Sequence, residues 1–416
     1  MICGKGEKML VTLIPLFDEN LNIGAYSLFV QKQNVFLNPS LLGSGRFDGA
    51  ARIEGLEVIQ EMGIESLSSD GEVFVAVTNM SVFSDLSEQC DAPHERLVVL
   101  IDPSIKPEPM YIKRLAELKD QGYKLAIRRL QVAEFEAYRE ILKLTDYVFL
   151  NHKKIDISKA KIYFNKLFPQ IKLCAVGVDN QEEFAALKSS GGYQLYEGNF
   201  YRIPVSRKDT EVAPLKVNYI ELLNTVNNDN FELTQAADII GRDTALTISL
   251  LRMVNRIAIN SEITSIRHAT AMLGQKELKR WINTAVMGEL CADRPNEITR
   301  LSLLRARFAE NLAKPFGMAG QASELFLMGL FSVLDAILDK PMEEALDMVH
   351  VSRQIREVLL EGKGELFKVY SFIQQYENAN WQEVSRLMIL EDIDLPTLYD
   401  AYIQTLVWYR KLTLGR

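Results

Sequence analysis

Eight short apolar, partly β-branched runs crowd the first half of this chain, and no further such run follows them. They are "LVTLIPLF" (10–17), "AYSLFV" (25–30), "VFVAV" (73–77), "LVVLI" (97–101), "KLAI" (124–127), "YVFL" (147–150), "KLCAV" (172–176) and "YQLY" (193–196). Each is too short to be a helix that buries one face, and helical stretches such as "PMYIKRLAELKDQG" lie between most of them, this one stopping at Gly122. Strands alternating with helices imply βα units, a parallel sheet and a closed barrel. About 200 residues is the low end for an eightfold barrel, so the barrel is expected to be complete or trimmed.

The strand signal ends at "NFYRIPVSRKDTEVAPLK" (199–216), where Pro204 and Pro214 bracket a charged stretch. Beyond it the apolar residues recur with helical spacing. In "FELTQAADIIGRDTALTISLLRMVNRIAI", Thr234 and Asp243 stand near helix starts, with Gly241 between them as a stop. The expected organisation is an α/β barrel at 1–205, a linker at 206–216 and an all-α domain at 217–416. There is no solenoid period and no low-complexity segment.

Charge narrows the function. The 416 residues carry 47 Lys+Arg and 55 Asp+Glu, a net charge of −8. Residues 1–205 hold 23 basic and 27 acidic side chains, and the remainder 24 and 28, so each half carries −4. Neither half offers a nucleic acid or an anionic lipid surface the basic patch it would need. The opening "MICGKGEKMLVTLIPLFDEN" has a short apolar core broken by Thr12 and Pro15 and no small-residue cleavage site, and reads as the first strand. The longest apolar run elsewhere, "LFLMGLFSVL" (325–334), is too short to span a bilayer. Cys3, Cys90, Cys174 and Cys291 form no CxxC pair, which fits a reduced, cytoplasmic protein. Cys174 and Cys291 have apolar neighbours and are expected in the core.

In "GYKLAIRRLQV" (122–132) a strand runs straight into Arg128 and Arg129. The C-terminal ends of barrel strands are where chemistry usually sits. With Lys153, Lys154 and Arg202 the two arginines are a candidate anion site, since guanidinium forks suit phosphates. A solvated or salt-bridged rim is the simpler expectation. His268, in "SIRHATAMLG", has no metal-binding neighbours in sequence and reads as a surface or structural residue. Asn255 and Asn260 close an apolar helix and are expected to cap and pack its end. The "GSG" at 43–45 precedes no phosphate-loop lysine and reads as a flexible loop.

Several strings together resemble an EAL domain followed by an HDOD (HD-related output) domain, across essentially the whole chain. "IPLFD" (14–18) is similar to the EAL family's opening "QPIFD", "GYKLAI" to its "GYKIAL", and "YEGNFYRIP" to its "FQGYYFSKP". In the second half "DIIGRDTALTISLLRMVNRIA" and "SIRHATAMLGQKELKRW", with its Leu273–Gly274 pair, resemble successive HDOD elements. The EAL resemblance implies a barrel that hydrolyses the bacterial messenger cyclic di-GMP with two divalent metals, held at its mouth by carboxylates and an asparagine.

Carried over position by position, the implied ligands are replaced. The naming glutamate falls at Ser27, the asparagine of the next strand at Ala76 and the following glutamate at Leu100. The aspartate pair falls on Arg128 and Arg129. The lysine falls at Phe149 with Asn151 in place of the neighbouring aspartate, the glutamate of "AEGVE" at Val176, and the late glutamine at Glu197. Guanidiniums offer a cation no lone pair and carry the wrong charge. An HD hydrolase would need an adjacent His-Asp pair. None of His94, His152, His268 and His350 precedes an Asp, and the comparable place in "GLFSVLD" (329–335) reads Ser332–Val333. The literal "EAL" at 344–346 lies in the helical half and carries no weight.

The expectation is therefore a bacterial signalling protein without catalysis, cofactor or metal, acting through regulatory protein partners, with homo-oligomerisation left open. The alternatives are a receptor that binds cyclic di-GMP or another phosphorylated ligand without hydrolysing it, and an active phosphodiesterase.

Overall fold

A computed structural model describes residues 8–31, 53–68, 70–155, 157–202, 214–228, 230–257, 263–291 and 296–413. Each apolar run is a strand: β1 (Leu10–Phe17), β2 (Ile23–Gln31), β3 (Glu72–Val77), β4 (Leu97–Ile101), β5 (Lys124–Arg128), β6 (Tyr147–Asn151), β7 (Lys172–Val178) and β8 (Leu195–Gly198). They close in sequence order into one barrel, complete rather than trimmed in its strands. β2 to β8 run parallel, while β1 is antiparallel to both neighbours.

Period-2 alternation decides which side chains enter the barrel. Leu16, Ala25, Phe74, Val98, Leu100, Ala126, Tyr147, Phe149, Cys174 and Leu195 form one buried interior cluster, with Val176 packed against it. Their odd–even partners, such as Val73, Val75, Leu125, Ile127, Val148 and Leu150, are buried as well. A sheet covered on both sides reads as a continuous apolar run. At the base of the barrel Lys124 pairs with Glu72, whose other oxygen accepts from the Tyr147 hydroxyl (2.7 Å).

Helix Pro109–Asp120 ends where expected, with Gly122 at φ 95° and its N–H on the Lys119 carbonyl (2.9 Å). Gly198 is required by crowding, because a Cβ there would come within 1.9 Å of the Val178 carbonyl oxygen. In the helical half, helix Leu233–Ile240 stops at Gly241, and Asp243 caps helix Thr244–Ile257 by accepting from the Leu246 N–H (2.9 Å). Thr234 lies inside its helix rather than before it. Helix Ile266–Leu290 is broken at Gly274 (φ 71°, ψ 171°), the glycine of the Leu-Gly pair.

The chain divides into two compact units. One contains residues 1–203, 307–322 and 371–416, and the other 204–306 and 323–370. By contacts, residues 307–322 and 371–416 group with the barrel, so these units cut across the expected segments 1–205 and 217–416. An aromatic cluster joins the last helices to one another and to helix Asn296–Leu312, with Tyr376 5.1 Å from Phe308, 4.9 Å from Tyr402 and 5.3 Å from Trp381, and the Tyr376 hydroxyl reaches the barrel by accepting from the Val11 N–H of β1 (3.4 Å). The expected linker lies outside the described residues up to 213, and from Pro214 the chain is helical. The "GSG" at 43–45 and Asn260 also lie outside them. Among the described residues no helix is long and apolar enough to cross a membrane.

Candidate functional site: the barrel mouth

Strand geometry brings the substituted positions to one end of the barrel. Leu100, Phe149 and Val176 face inward. Ala76 and Asn151 share that parity with Phe74 and Phe149, two residues away on their own strands. In the ladder Ala76 stands opposite Leu100, Arg128 opposite Phe149, Asn151 opposite Val176, and Val176 opposite Glu197. Asn151 uses its side-chain oxygen locally, accepting from the Lys153 N–H (3.0 Å).

Arg128 fills the centre of this end. It reaches across the barrel to Glu197 in a fork-to-fork ion pair, with Nη1 on Oε1 at 3.1 Å and Nη2 on Oε2. Nη2 also donates to the Ser27 hydroxyl (3.3 Å). The guanidinium stacks between two rings, 4.4 Å from the Phe149 centroid and 5.1 Å from that of Phe29. The side chains are only 13% and 9% exposed. Two charges so far from water are tolerable because they pair through a fork, while Arg128 Nε is buried without a hydrogen-bond partner. Beneath the pair, burial and the Glu197 charge push the Cys174 thiol far up, so it stays protonated.

Arg128 and Arg129, the candidate anion pair, have different surroundings. Arg128 is internally neutralised. Arg129 is exposed and has no hydrogen-bond or ion partner among the described residues; it adopts a left-handed backbone (φ 65°) at the tip of β5. β5 ends at Arg128, and the left-handed backbone at Arg129 turns the chain out of the strand. Two of the other cations are also neutralised. Lys153 binds Asp179 (2.6 Å) and Glu183 (3.0 Å), and Arg202 binds Glu377 (3.4 Å). Lys154 is exposed.

The residues do not fit a pair of divalent cations. A carboxylate, Glu197, is present, but a guanidinium occupies its oxygens. Among the described residues no group of three or more His, Cys, Asp or Glu side chains is placed to hold a metal. Glu197 as the partner of Arg128 escaped the sequence reading. The two are 69 positions apart, and the signal was opposite charge at inward positions on the C-terminal ends of β5 and β8.

In the helical unit, Ser332, at the place of an HD dyad, is buried. Its hydroxyl accepts from Arg305 Nη1 (3.0 Å) and donates to the Gly329 carbonyl (2.7 Å). A Cβ on Gly329 would meet the Arg305 backbone at 2.5 Å, so packing rather than chemistry explains this segment. His268 is exposed, and its N–H bonds the Ser265 cap (3.5 Å). Asn255 holds both the N–H (2.7 Å) and the carbonyl (2.9 Å) of Ile263, as expected of a residue closing a helix. Cys174 and Cys291 are buried, as expected.

Residues 212–356 match the family model described as "HDOD domain". The uncharacterized protein YuxH of Bacillus subtilis (strain 168) is 26% identical over 97% of this chain and 99% of its own length. The cyclic di-GMP phosphodiesterase CdgJ of Vibrio cholerae serotype O1 is 26% identical over 76% of this chain and 74% of its own. Among solved structures, an EAL domain protein from Listeria monocytogenes EGD-e aligns over 47% of this chain and 87% of its own, with 17% identity and a TM-score of 0.36, too slight a likeness to bear on function. The chain thus places an eight-stranded barrel ahead of a region that matches the HDOD domain model.

Proposed function

We propose that this is a cyclic di-GMP-linked signalling protein that does not hydrolyse the messenger and acts through protein partners. The Arg128–Glu197 fork at the barrel mouth carries this reading. Two-metal hydrolysis needs hard oxygen ligands that hold cations and activate a water. Here a fixed cation sits where positive ions would have to bind, and it already binds the nearby carboxylate. Introducing a metal would require breaking a largely buried ion pair and placing like charges side by side. CdgJ is a phosphodiesterase by name, so relationship alone would favour activity; the mouth chemistry of this chain opposes it. Without a catalytic set, function would lie in surfaces, and the exposed Arg129 and Lys154 at the rim remain available for charged partners.

The test is turnover. Purified protein with cyclic di-GMP and Mg²⁺ or Mn²⁺ should yield no linear product above a heat-inactivated control. Sustained turnover that copurifies with the protein and is altered by Glu197→Gln would overturn the proposal.

A further inference from the structure

β1 closes the barrel against β8 over a short stretch. It runs antiparallel to β8, and Phe17–Tyr196 is the register pair between them. β8 has four residues and ends at Gly198, while β1 extends from Phe17 back to Leu10, which stands opposite Gln31 at the mouth end of β2. Towards the mouth, β1 therefore overhangs β8 and leaves a wedge in the wall. An open strand edge exposes backbone donors that must find partners.

Residues from the far end of the chain occupy this wedge. The end of helix Phe367–Glu377 brings the buried Tyr376 to β1, where the Val11 N–H points out of the β2 ladder and donates to its hydroxyl (3.4 Å). The next residue, Glu377, accepts from Arg202 Nη1 (3.4 Å), on the turn that follows β8, with side chains 15% and 18% exposed. Arg202 Nε also donates to the Tyr201 hydroxyl (3.0 Å), and Tyr201 packs on Phe17 of β1 at 4.6 Å. Helix Leu395–Thr413 adds a third attachment, Lys8 Nζ to Asp400 (2.5 Å), just ahead of β1. Both sides of the wedge are thus tied to consecutive residues of one helix.

We propose that residues 371–413 are a clamp in cis that seals the β1–β8 seam at the mouth of the barrel. The clamp follows the HDOD domain in sequence, while β1 pairs with β2, whose Phe29 stacks on Arg128. An event that draws the clamp away opens the wall beside the Arg128–Glu197 pair. The last helices are then a control element of the barrel, not a free partner surface.

Hydrogen–deuterium exchange on the full-length protein tests this. Tyr376→Phe keeps the ring packing and removes the hydroxyl, and Glu377→Gln combined with Asp400→Asn removes two charge contacts. Exchange in residues 10–17 should quicken about two- to tenfold for each set, the size expected from one or two lost hydrogen bonds, while β4 to β6 stay unchanged. Truncation after Tyr370 should abolish protection of β1 and β2; should the truncated chain be insoluble, the point variants decide. Wild-type protection of residues 10–17 in both variants, with faster exchange confined to residues 371–413, would overturn the clamp.

Discussion

Replacing Arg128 by Ala strands the Glu197 carboxylate in a site where it is only 9% exposed. The variant loses a forked ion pair, the Ser27 hydrogen bond and contacts to two aromatic rings. Removing one partner of a buried pair typically costs about 3–5 kcal/mol, most of it the cost of the uncompensated charge left behind. Replacing both partners by apolar groups of similar shape removes that charge as well. Arg128→Met with Glu197→Leu should therefore return to within about 1 kcal/mol of wild type or exceed it. The assay is urea unfolding followed by far-UV circular dichroism on wild type, both single variants and the double. A large coupling free energy, with the double variant more stable than Arg128→Ala, is the predicted outcome. If Arg128→Ala costs less than about 1 kcal/mol, or the double variant is as unstable as the single, the fork is not the buried, mutually compensating pair described here.

Arg128→Asp should destabilise strongly by setting two carboxylates together, and Mn²⁺ should raise the melting temperature of this variant but not of wild type in a thermal-shift series. Asp335, whose carboxyl is pushed up chiefly by burial, makes a pH prediction. Its folded pKa lies above the unfolded one, so stability is greatest below the unfolded value and declines as pH rises through the window between the two. Asp335→Asn should stabilise at pH 7 and have little effect at pH 3, read from denaturation midpoints at each pH. Any anionic ligand that binds the rim should lose affinity on Arg129→Ala, by about tenfold for one charge-assisted contact, and be indifferent to Lys153→Ala, because Lys153 is already paired; calorimetric titration with cyclic di-GMP checks both.

Much of the barrel was legible in sequence because a sheet buried on both faces writes itself as apolar runs. All eight runs became strands. The split between Arg128 and Arg129 comes from the end of β5 and the left-handed turn at Arg129, which the charges alone do not show. Two features were not legible. The Arg128–Glu197 fork joins strands β5 and β8 with no pattern linking them in sequence. The attachment of Tyr376 to Val11 spans 365 positions. Helical period reports which face is buried but not which element buries it, so the contact of the last helices with β1 leaves no mark in the sequence.

The central claim is that a protein cation occupies the place of the metals. Electron paramagnetic resonance of Mn²⁺ titrated into the full-length protein tests it most directly, because free and bound Mn²⁺ differ in signal. The account predicts that the free-ion signal rises in proportion to added Mn²⁺, with and without cyclic di-GMP. Loss of about one or two equivalents of that signal, abolished by Glu197→Gln, would contradict it.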